Sequence, residues 1–244
     1  DAAAWAEKLD GHVLDGYTIR RKFDGDPAKL PGFADGAWWV QDAAAAVPAR
    51  LLGKLDGKQV IDLCAAPGGK TAQLIANGAN VTAIDNNRKR LDRLRRNLKR
   101  LNMPAKLVLS DGRHFVPDAS VDAILLDAPC SATGTIRRRP DILGRRSSAD
   151  ITTLQTIQWD LATTALGWLK PGGQLIYATC SLQPEEGEDI IAAIMDAADG
   201  RYALAPIVPA EAGLFARSIT ENGCLRILPC AYADIGGVDG FFVA

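Results

Sequence analysis

Gln59-Val60-Ile61-Asp62-Leu63-Cys64-Ala65, continued by Ala66-Pro67-Gly68-Gly69-Lys70-Thr71, is the stretch on which the fold turns. Its first half is an apolar, β-branched run with one carboxylate inside it, the pattern of a strand buried on both faces of a parallel sheet. Pro67-Gly68-Gly69 ends the run and predicts a turn that opens a helix. The same alternation repeats along the chain. Val81-Thr82-Ala83-Ile84 reads as a second strand, stopping at Asp85, and Leu91, Leu94, Leu98 and Leu101 then recur at helical spacing among basic residues. Leu107-Val108-Leu109 is a third strand, ending in Ser110-Asp111-Gly112. Val121 to Leu126 is a fourth, ending at Asp127-Ala128-Pro129-Cys130. Asp150 to Leu169 reads as a long amphipathic helix capped by Asp150 and broken by Pro171-Gly172-Gly173. Gln174 to Ala178 is a fifth strand leading into Thr179-Cys180-Ser181. Pro184 to Ala198 is again helical, with acids in the first turns, where the helix dipole favours them. Two last strands fall near Cys224–Leu228 and Gly240–Val243.

This alternation predicts an α/β fold, a doubly wound, mostly parallel seven-stranded sheet with right-handed crossovers, over residues 46–244. Residues 1–45 stand outside it as a small N-terminal accessory subdomain, with a helix over Ala2–Leu9, a strand over Thr18–Phe23 and a loop through Pro31-Gly32.

With 244 residues, 48% hydrophobic and 23% charged, the chain has a globular composition, which excludes disordered, collagen-like and coiled-coil classes. No uncharged apolar run approaches the ~20 residues of a membrane span, and Asp1 to Asp10 lacks the apolar core of a signal peptide. The first residue is not Met, so the chain is expected to be cut from something longer. Five cysteines without a CxxC pair and only two histidines speak against a disulfide framework and against a metal site. Reduced thiols predict a cytoplasmic protein. His12 and His114 are isolated and read as surface or loop residues.

The net charge of −1 hides an asymmetry: from Ser181 to the end there are ten acids and three basic residues, which leaves the first 180 residues at +6. Arg88 to Arg100 is the densest basic stretch and Arg137-Arg138-Arg139 a second. Either is a solvated charged surface or a phosphate-contacting one. Because Arg137, Arg138 and Arg139 follow Cys130 closely, they are the stronger candidates for phosphate contact. Trp38 and Trp39 suit base stacking or, more simply, a subdomain joint.

In open parallel sheets a ligand sits beyond the carboxyl ends of the strands. Five consecutive strands here bring polar groups to that edge: Cys64 to Lys70, Asp85, Asp111, Asp127 with Cys130, and Thr179 with Cys180. The first loop is neither GxGxxG nor GxxxxGK[ST], which argues against a nicotinamide oxidoreductase and a P-loop NTPase. Without a pyrophosphate to cradle, it suits a zwitterion such as the amino-acid part of S-adenosylmethionine. Asp85 is placed to accept from ribose hydroxyls, or else to cap a helix, and Asp111 to meet an adenine amino group, with Gly112 allowing close approach. Cys130 and Cys180 end adjacent strands, which puts two thiols beside Asp127. Methylation of cytosine at C5 needs such a set: a thiolate adds to C6 to make C5 nucleophilic, an acid holds N3, and a base removes the C5 proton.

Val60 to Thr71, Leu125-Leu126-Asp127-Ala128-Pro129-Cys130-Ser131 and Tyr177-Ala178-Thr179-Cys180-Ser181 resemble the Sun family of RNA cytosine-5 methyltransferases. Thr133-Gly134-Thr135-Ile136-Arg137-Arg138-Arg139-Pro140-Asp141-Ile142 is similar to its bacterial 16S rRNA branch, often called Fmu. The likeness runs from about Leu30 to the end, including Trp39-Val40-Gln41-Asp42 and Asp239-Gly240-Phe241-Phe242. It implies a Rossmann-like methyltransferase domain using S-adenosyl-L-methionine, and small-subunit rRNA as partner. By that resemblance Cys180 attacks C6, Cys130 assists proton removal and release, and Asp127 holds the base. From its position in the loop, Lys70 is expected to bridge the cofactor loop to Asp127. The cofactor contacts fall on Cys64, Ala65, Ala66, Pro67, Gly68, Gly69, Lys70, Asp85, Asp111 and Asp127. Residues 1–45 would then be part of a linking or RNA-binding subdomain, since the branch usually carries an N-terminal helical RNA-binding domain that this chain lacks. A monomer is expected, with no metal and no membrane partner. The rivals are a DNA cytosine-5 methyltransferase with Cys130 attacking, and a non-catalytic cofactor-binding RNA-binding protein.

Overall fold

The computed structural model describes residues 1–22 and 25–244. In chain order its principal elements are α1 (Ala2–Lys8), β1 (His12–Asp15), β2 (Thr18–Arg20), α2 (Val47–Leu51), β3 (Gln59–Leu63), α3 (Gly69–Ala76), β4 (Asn80–Asp85) and α4 (Arg88–Leu101). There follow β5 (Lys106–Leu109), β6 (Val121–Asp127), α5 (Ser148–Leu166), β7 (Leu169–Thr179), α6 (Glu188–Ala198), α7 (Pro209–Ala212), β8 (Leu225–Ile227) and β9 (Phe241–Val243).

Seven strands make one sheet in the order β5-β4-β3-β6-β7-β9-β8. The first five are parallel, and β9 lies between β7 and β8, antiparallel to both. Its three residues are all buried and apolar, which suits an inserted interior strand, whereas β8 at the edge alternates, with Arg226 between two buried residues, lying over the Phe242 ring and bonded to Glu188 and Ser181 O. The seven-stranded, mostly parallel sheet read from the sequence is therefore present.

Successive side chains of each strand feed opposite cores, the consequence of the two-residue pleat. Val60, Val81, Ala123 and Leu125 pack with Leu74 of α3 and with Leu94, Leu98 and Leu101 of α4. Ile61, Leu63, Ile124 and Leu126 pack with Leu161 and Ala165 of α5 and Ile190 and Ile194 of α6. A third core gathers Val47, Phe215, Tyr232, Leu225, Phe241 and Val243 under the β8–β9 end.

Four local readings need correction. Helix α5 is capped by Ser147, and Asp150 is the reciprocal partner three residues in, so the two form a capping box. Pro171-Gly172-Gly173 does not end the helix, which stops at Leu166, but forms a bulge inside β7. The pairing jumps from Val121↔Leu169 to Ala123↔Gln174, and Gly172 takes φ +77° to allow it. The Pro184–Ala198 helix is divided. A 3₁₀ turn over Pro184–Glu186 gives way at Gly187, where a Cβ would lie 2.5 Å from the Arg226 guanidinium. Gly112, finally, serves packing: a Cβ there would press on Leu161 and Leu63 at 2.8 and 3.0 Å.

At the N-terminus, β2 pairs antiparallel with β1, a strand absent from the sequence reading although Asp15-Gly16 marks its turn. Strand β2 ends at Arg20; Phe23, in the predicted strand, lies outside the described residues. This unit is pinned to the sheet domain by Asp15–Arg50 (2.7 Å), by Arg20 donating to the carbonyls of Ile235 and Gly237, and by Arg100 donating to those of Phe33 and Trp38 (2.6 and 3.0 Å). Trp38 and Trp39 are half-buried in this joint; Trp38 packs edge-on against Phe33, and Trp39 donates to Gln41. Among the described residues no helix is long and apolar enough to cross a membrane.

Candidate active site

Each strand of the parallel set hands its polar residue to the same edge. Cys64 follows β3 with φ +59°, Asp85 and Asp127 are the last residues of β4 and β6, and Asp111 lies just past β5. The loop from Cys64 turns through a cis Ala66–Pro67 bond and Gly68 at φ +103° into α3, whose start has no side-chain cap. The first-turn N–H groups of α3 therefore face the edge, free for an anionic ligand group.

Asp85 is buried. It accepts from the Ala66 and Asn87 N–H groups at 3.2 and 3.0 Å and pairs with Arg90 at 3.2 Å, so it shapes the glycine loop from below. The cap of α4 is Asn87, not Asp85. Asp111 pairs with Arg113 at 2.6 Å, and that hydrogen bond holds its carboxyl down at about 2. Burial pushes the Cys64 thiol up to about 12, which leaves it a thiol lining the loop.

Lys70 is buried, with Nζ 2.8 Å from Asp127 Oδ2 and 5.1 Å above the Phe241 ring. The next residue, Thr71, donates to the buried Asp62 at 2.5 Å. Burial raises the Asp62 carboxyl to about 7, and its Oδ1 has no hydrogen-bond partner among the described residues.

Cys130 and Cys180 meet, with their sulfurs 3.5 Å apart. The Cys180 thiol beside it, and then its enclosure, push the Cys130 thiol well above the usual range. Gly134 lets the loop after Cys130 cross this site: its N–H donates to Cys180 O at 2.9 Å, and a Cβ would lie 2.2 Å from Gly240 O.

Three site residues had no role assigned in the sequence reading, although Asp42 and Asp239 stand in motifs it quoted. Glu186, fully buried, accepts from the Ser131 N–H (2.9 Å) and hydroxyl (2.5 Å), the Ser181 hydroxyl (2.6 Å) and the Gln158 amide (3.0 Å). It thus ties together the residues that follow the two cysteines. Nothing in Pro184-Glu185-Glu186 distinguishes it from the exposed Glu185. Asp239 and Asp42 are the others. Arg138 pairs with the buried Asp239 at 2.7 Å, and Arg137 reaches Asp239 at 3.3 Å and Asp42 at 3.6 Å. These two arginines anchor the loop, which leaves the exposed Arg139 as the member of the triplet without a carboxylate partner among the described residues. His12 and His114 are both exposed; His114 ends the short turn that Asp111 caps, its N–H donating to Asp111 O at 3.0 Å. No group of three or more His, Cys, Asp or Glu suited to a metal ion occurs among the described residues.

This arrangement can be set against known proteins. A family model described as 16S rRNA methyltransferase RsmB/F matches residues 49–244. The chain belongs to that family. A ribosomal RNA small subunit methyltransferase B of Cronobacter sakazakii is 43% identical over 243 residues, 97% of this chain and 53% of that protein. Its counterpart in Vibrio vulnificus is 41% identical over 224 residues, 90% of this chain and 49% of its own. The chain therefore spans about half the length of the curated RsmB/F relatives it matches. Among solved structures, NSun6 from Pyrococcus horikoshii with SFG, an analogue of S-adenosylmethionine, is 30% identical with a TM-score of 0.73, covering 90% of this chain and 55% of that one. A methyltransferase homologue from the same organism is 33% identical with a TM-score of 0.72, covering 92% and 72%. The sheet of this RsmB/F family member is thus that of the S-adenosylmethionine-dependent methyltransferases.

Proposed function

We propose that this chain is the catalytic part of an S-adenosylmethionine-dependent methyltransferase acting on C5 of a cytosine in small-subunit rRNA. Residues 46–244 are its catalytic domain and residues 1–45 a linking unit. The observation that carries the reading is the pair of thiols 3.5 Å apart, beside the Lys70–Asp127 ion pair. The edge fits the cofactor: an uncapped α3 start for its carboxylate, and the 64–70 loop with Asp85, Asp111 and Asp127 around it. When bound, S-adenosylmethionine supplies an electrophilic methyl group.

The residues of the chain do the rest. Cys180, as thiolate, adds to C6 of a cytosine swung out of its stack, and the C5–C6 electron pair becomes available at C5. Asp127 has one oxygen held by Lys70 and the other free to meet the base at N3 or the exocyclic amine. Once C5 carries the methyl group, its proton must leave. The C–H electron pair restores the C5–C6 double bond and expels Cys180. Cys130 faces the departing sulfur, so it can return a proton there and take up the one from C5. Arg139 is the member of the Arg137–Arg139 triplet available to a phosphate, with Arg137 and Arg138 holding the loop behind it.

The test uses Cys130→Ala and Cys180→Ala with S-adenosylmethionine and unmodified small-subunit rRNA, read as a covalent protein–RNA band on a denaturing gel. The band should accumulate with Cys130→Ala only. Accumulation with Cys180→Ala would reverse the roles to those of the DNA enzymes.

A further inference from the structure

Helix α4 breaks the electrostatic rules of a solvated helix. From Arg88 to Arg100 eight residues are basic and one is acidic, a local +7 in a chain of net −1, so everything else carries −8. Arg88, Lys89 and Arg90 crowd the first turn, which holds no acid, where the helix dipole disfavours cations. Lys89, Arg93, Arg96 and Arg100 follow at spacings of four, three and four, so neighbours of like charge repel along one face. Places where local rules fail without a packing reason are where function is to be sought.

Three of the eight cations have partners. Arg90 bonds Asp85 and the Ala66 carbonyl, Arg95 pairs with Asp92, and Arg100 holds Phe33 and Trp38. Arg88, Lys89, Arg93, Arg96 and Lys99 are exposed, and their side chains make no ion pair or hydrogen bond among the described residues. They line a rigid rod. The opposite stripe of Leu91, Leu94, Leu98 and Leu101 is buried in the sheet's core, and Arg88 to Lys99 spans roughly 17 Å.

The rod is joined to the active edge. It begins three residues after Asp85; Arg90 bonds Ala66 O (3.0 Å), Asn97 bonds Pro67 O (2.8 Å), and Gly68 packs on Leu94. Arg90 and Arg93 with Ala66 and Pro67 also line a cavity of about 240 Å³ beside that loop. A polyanion lying along α4 is therefore led to the loop that positions Lys70.

We infer that the exposed face of α4, formed by Arg88, Lys89, Arg93, Arg96 and Lys99, docks the phosphodiester backbone of the RNA whose cytosine enters the cleft. This rests on the RNA reading above and adds to it a second, sequence-independent contact surface outside the cleft. Phosphate contacts of this kind set affinity and register and leave base recognition to the cleft.

The test replaces all five residues by Gln, a good helix former, and in a second variant by the alternative cation at each position (Arg→Lys, Lys→Arg). Binding of a labelled single-stranded small-subunit rRNA fragment is followed by fluorescence anisotropy across a salt series. On single strands each lost phosphate contact reduces the slope of log K against log salt by about 0.7, so the Gln variant should lose about 3.5 from the slope. Its affinity at low salt should fall at least roughly tenfold, while the charge-preserving variant binds like the parent. Methyl transfer to the fragment should show a raised KM with kcat held, the signature of lost uniform binding. Thermal unfolding should confirm that both variants fold. An unchanged slope and affinity in the Gln variant would overturn the proposal, as would a parent chain that binds no RNA at low salt. If the Gln variant lost binding to vesicles of anionic lipid with RNA binding intact, the face would be assigned to a membrane surface and the proposal overturned too. Binding is measured without turnover, so failure of the cytosine-5 reading would leave the slope result standing, and the reverse also holds.

Discussion

Replacing Glu186 by alanine removes a buried carboxylate that four donors converge on. Two of them lose their acceptor, the Ser131 N–H and the second N–H of the Gln158 amide, whose first is held by Pro129 O at 2.8 Å, whereas the Ser131 and Ser181 hydroxyls lie 3.1 Å apart and can turn to each other. A buried donor left without an acceptor costs about 1–3 kcal/mol, and a cavity adds to it. The expected destabilisation of Glu186→Ala is about 3–5 kcal/mol, which for a chain of this size lowers Tm by about 6–20 °C. Glu186→Gln keeps one acceptor oxygen and the side-chain volume and should cost about 1–2 kcal/mol. Thermal unfolding followed by circular dichroism measures both. A second assay reads the thiols: a trivalent arsenical needs two sulfurs side by side, so capture of the Cys130–Cys180 pair should weaken in the Ala variant while the protein is still folded. An Ala variant that melts within about 2 °C of the parent and captures the arsenical equally well would refute the reasoning.

Two further outcomes follow from the same edge. The Asp62 carboxyl sits at about 7 in the folded chain against about 4 when unfolded; below both values it is protonated in both states, and between them the unfolded state has already lost the proton. Stability attributable to this group therefore declines as pH rises from about 4 to about 7, by an order-of-magnitude ~4 kcal/mol, and is level beyond. Asp62→Asn, which keeps an acceptor for Thr71, should match the parent near pH 4 and exceed it at pH 8 in denaturant titrations; a difference that does not vary with pH would refute this. Lys70→Met removes the cation 2.8 Å from Asp127 and should lower kcat for RNA methylation by about a hundredfold, and unchanged turnover would remove Lys70 from the mechanism.

Much of the fold was legible because its signals are local. The leucine stripe of α4 and the apolar runs of β3, β4 and β6 recur at spacings a reader can count, and each strand's polar terminus follows it directly. Where one local cue serves two structures, the reading slipped: Pro171-Gly172-Gly173 breaks a helix or bulges a strand equally well, and Gly187 was hidden inside a helical pattern.

By itself, then, the sequence determined the α/β alternation, the edge on which its polar residues gather, and the candidate thiols, because these depend on residues within a few positions of one another. Only the tertiary structure decided that β9 slides between β7 and β8, that Cys130 and Cys180 stand 3.5 Å apart, and that Glu186 rather than Glu185 is buried beneath them. It also decided which arginines are spent. Arg137 and Arg138 read as a free basic triplet with Arg139 until Asp239, a hundred positions away, arrives to neutralise them, while the exposed cations of α4 find no such partner among the described residues. Charge pairing and burial are set by what the fold brings from far along the chain, and no window of sequence contains that.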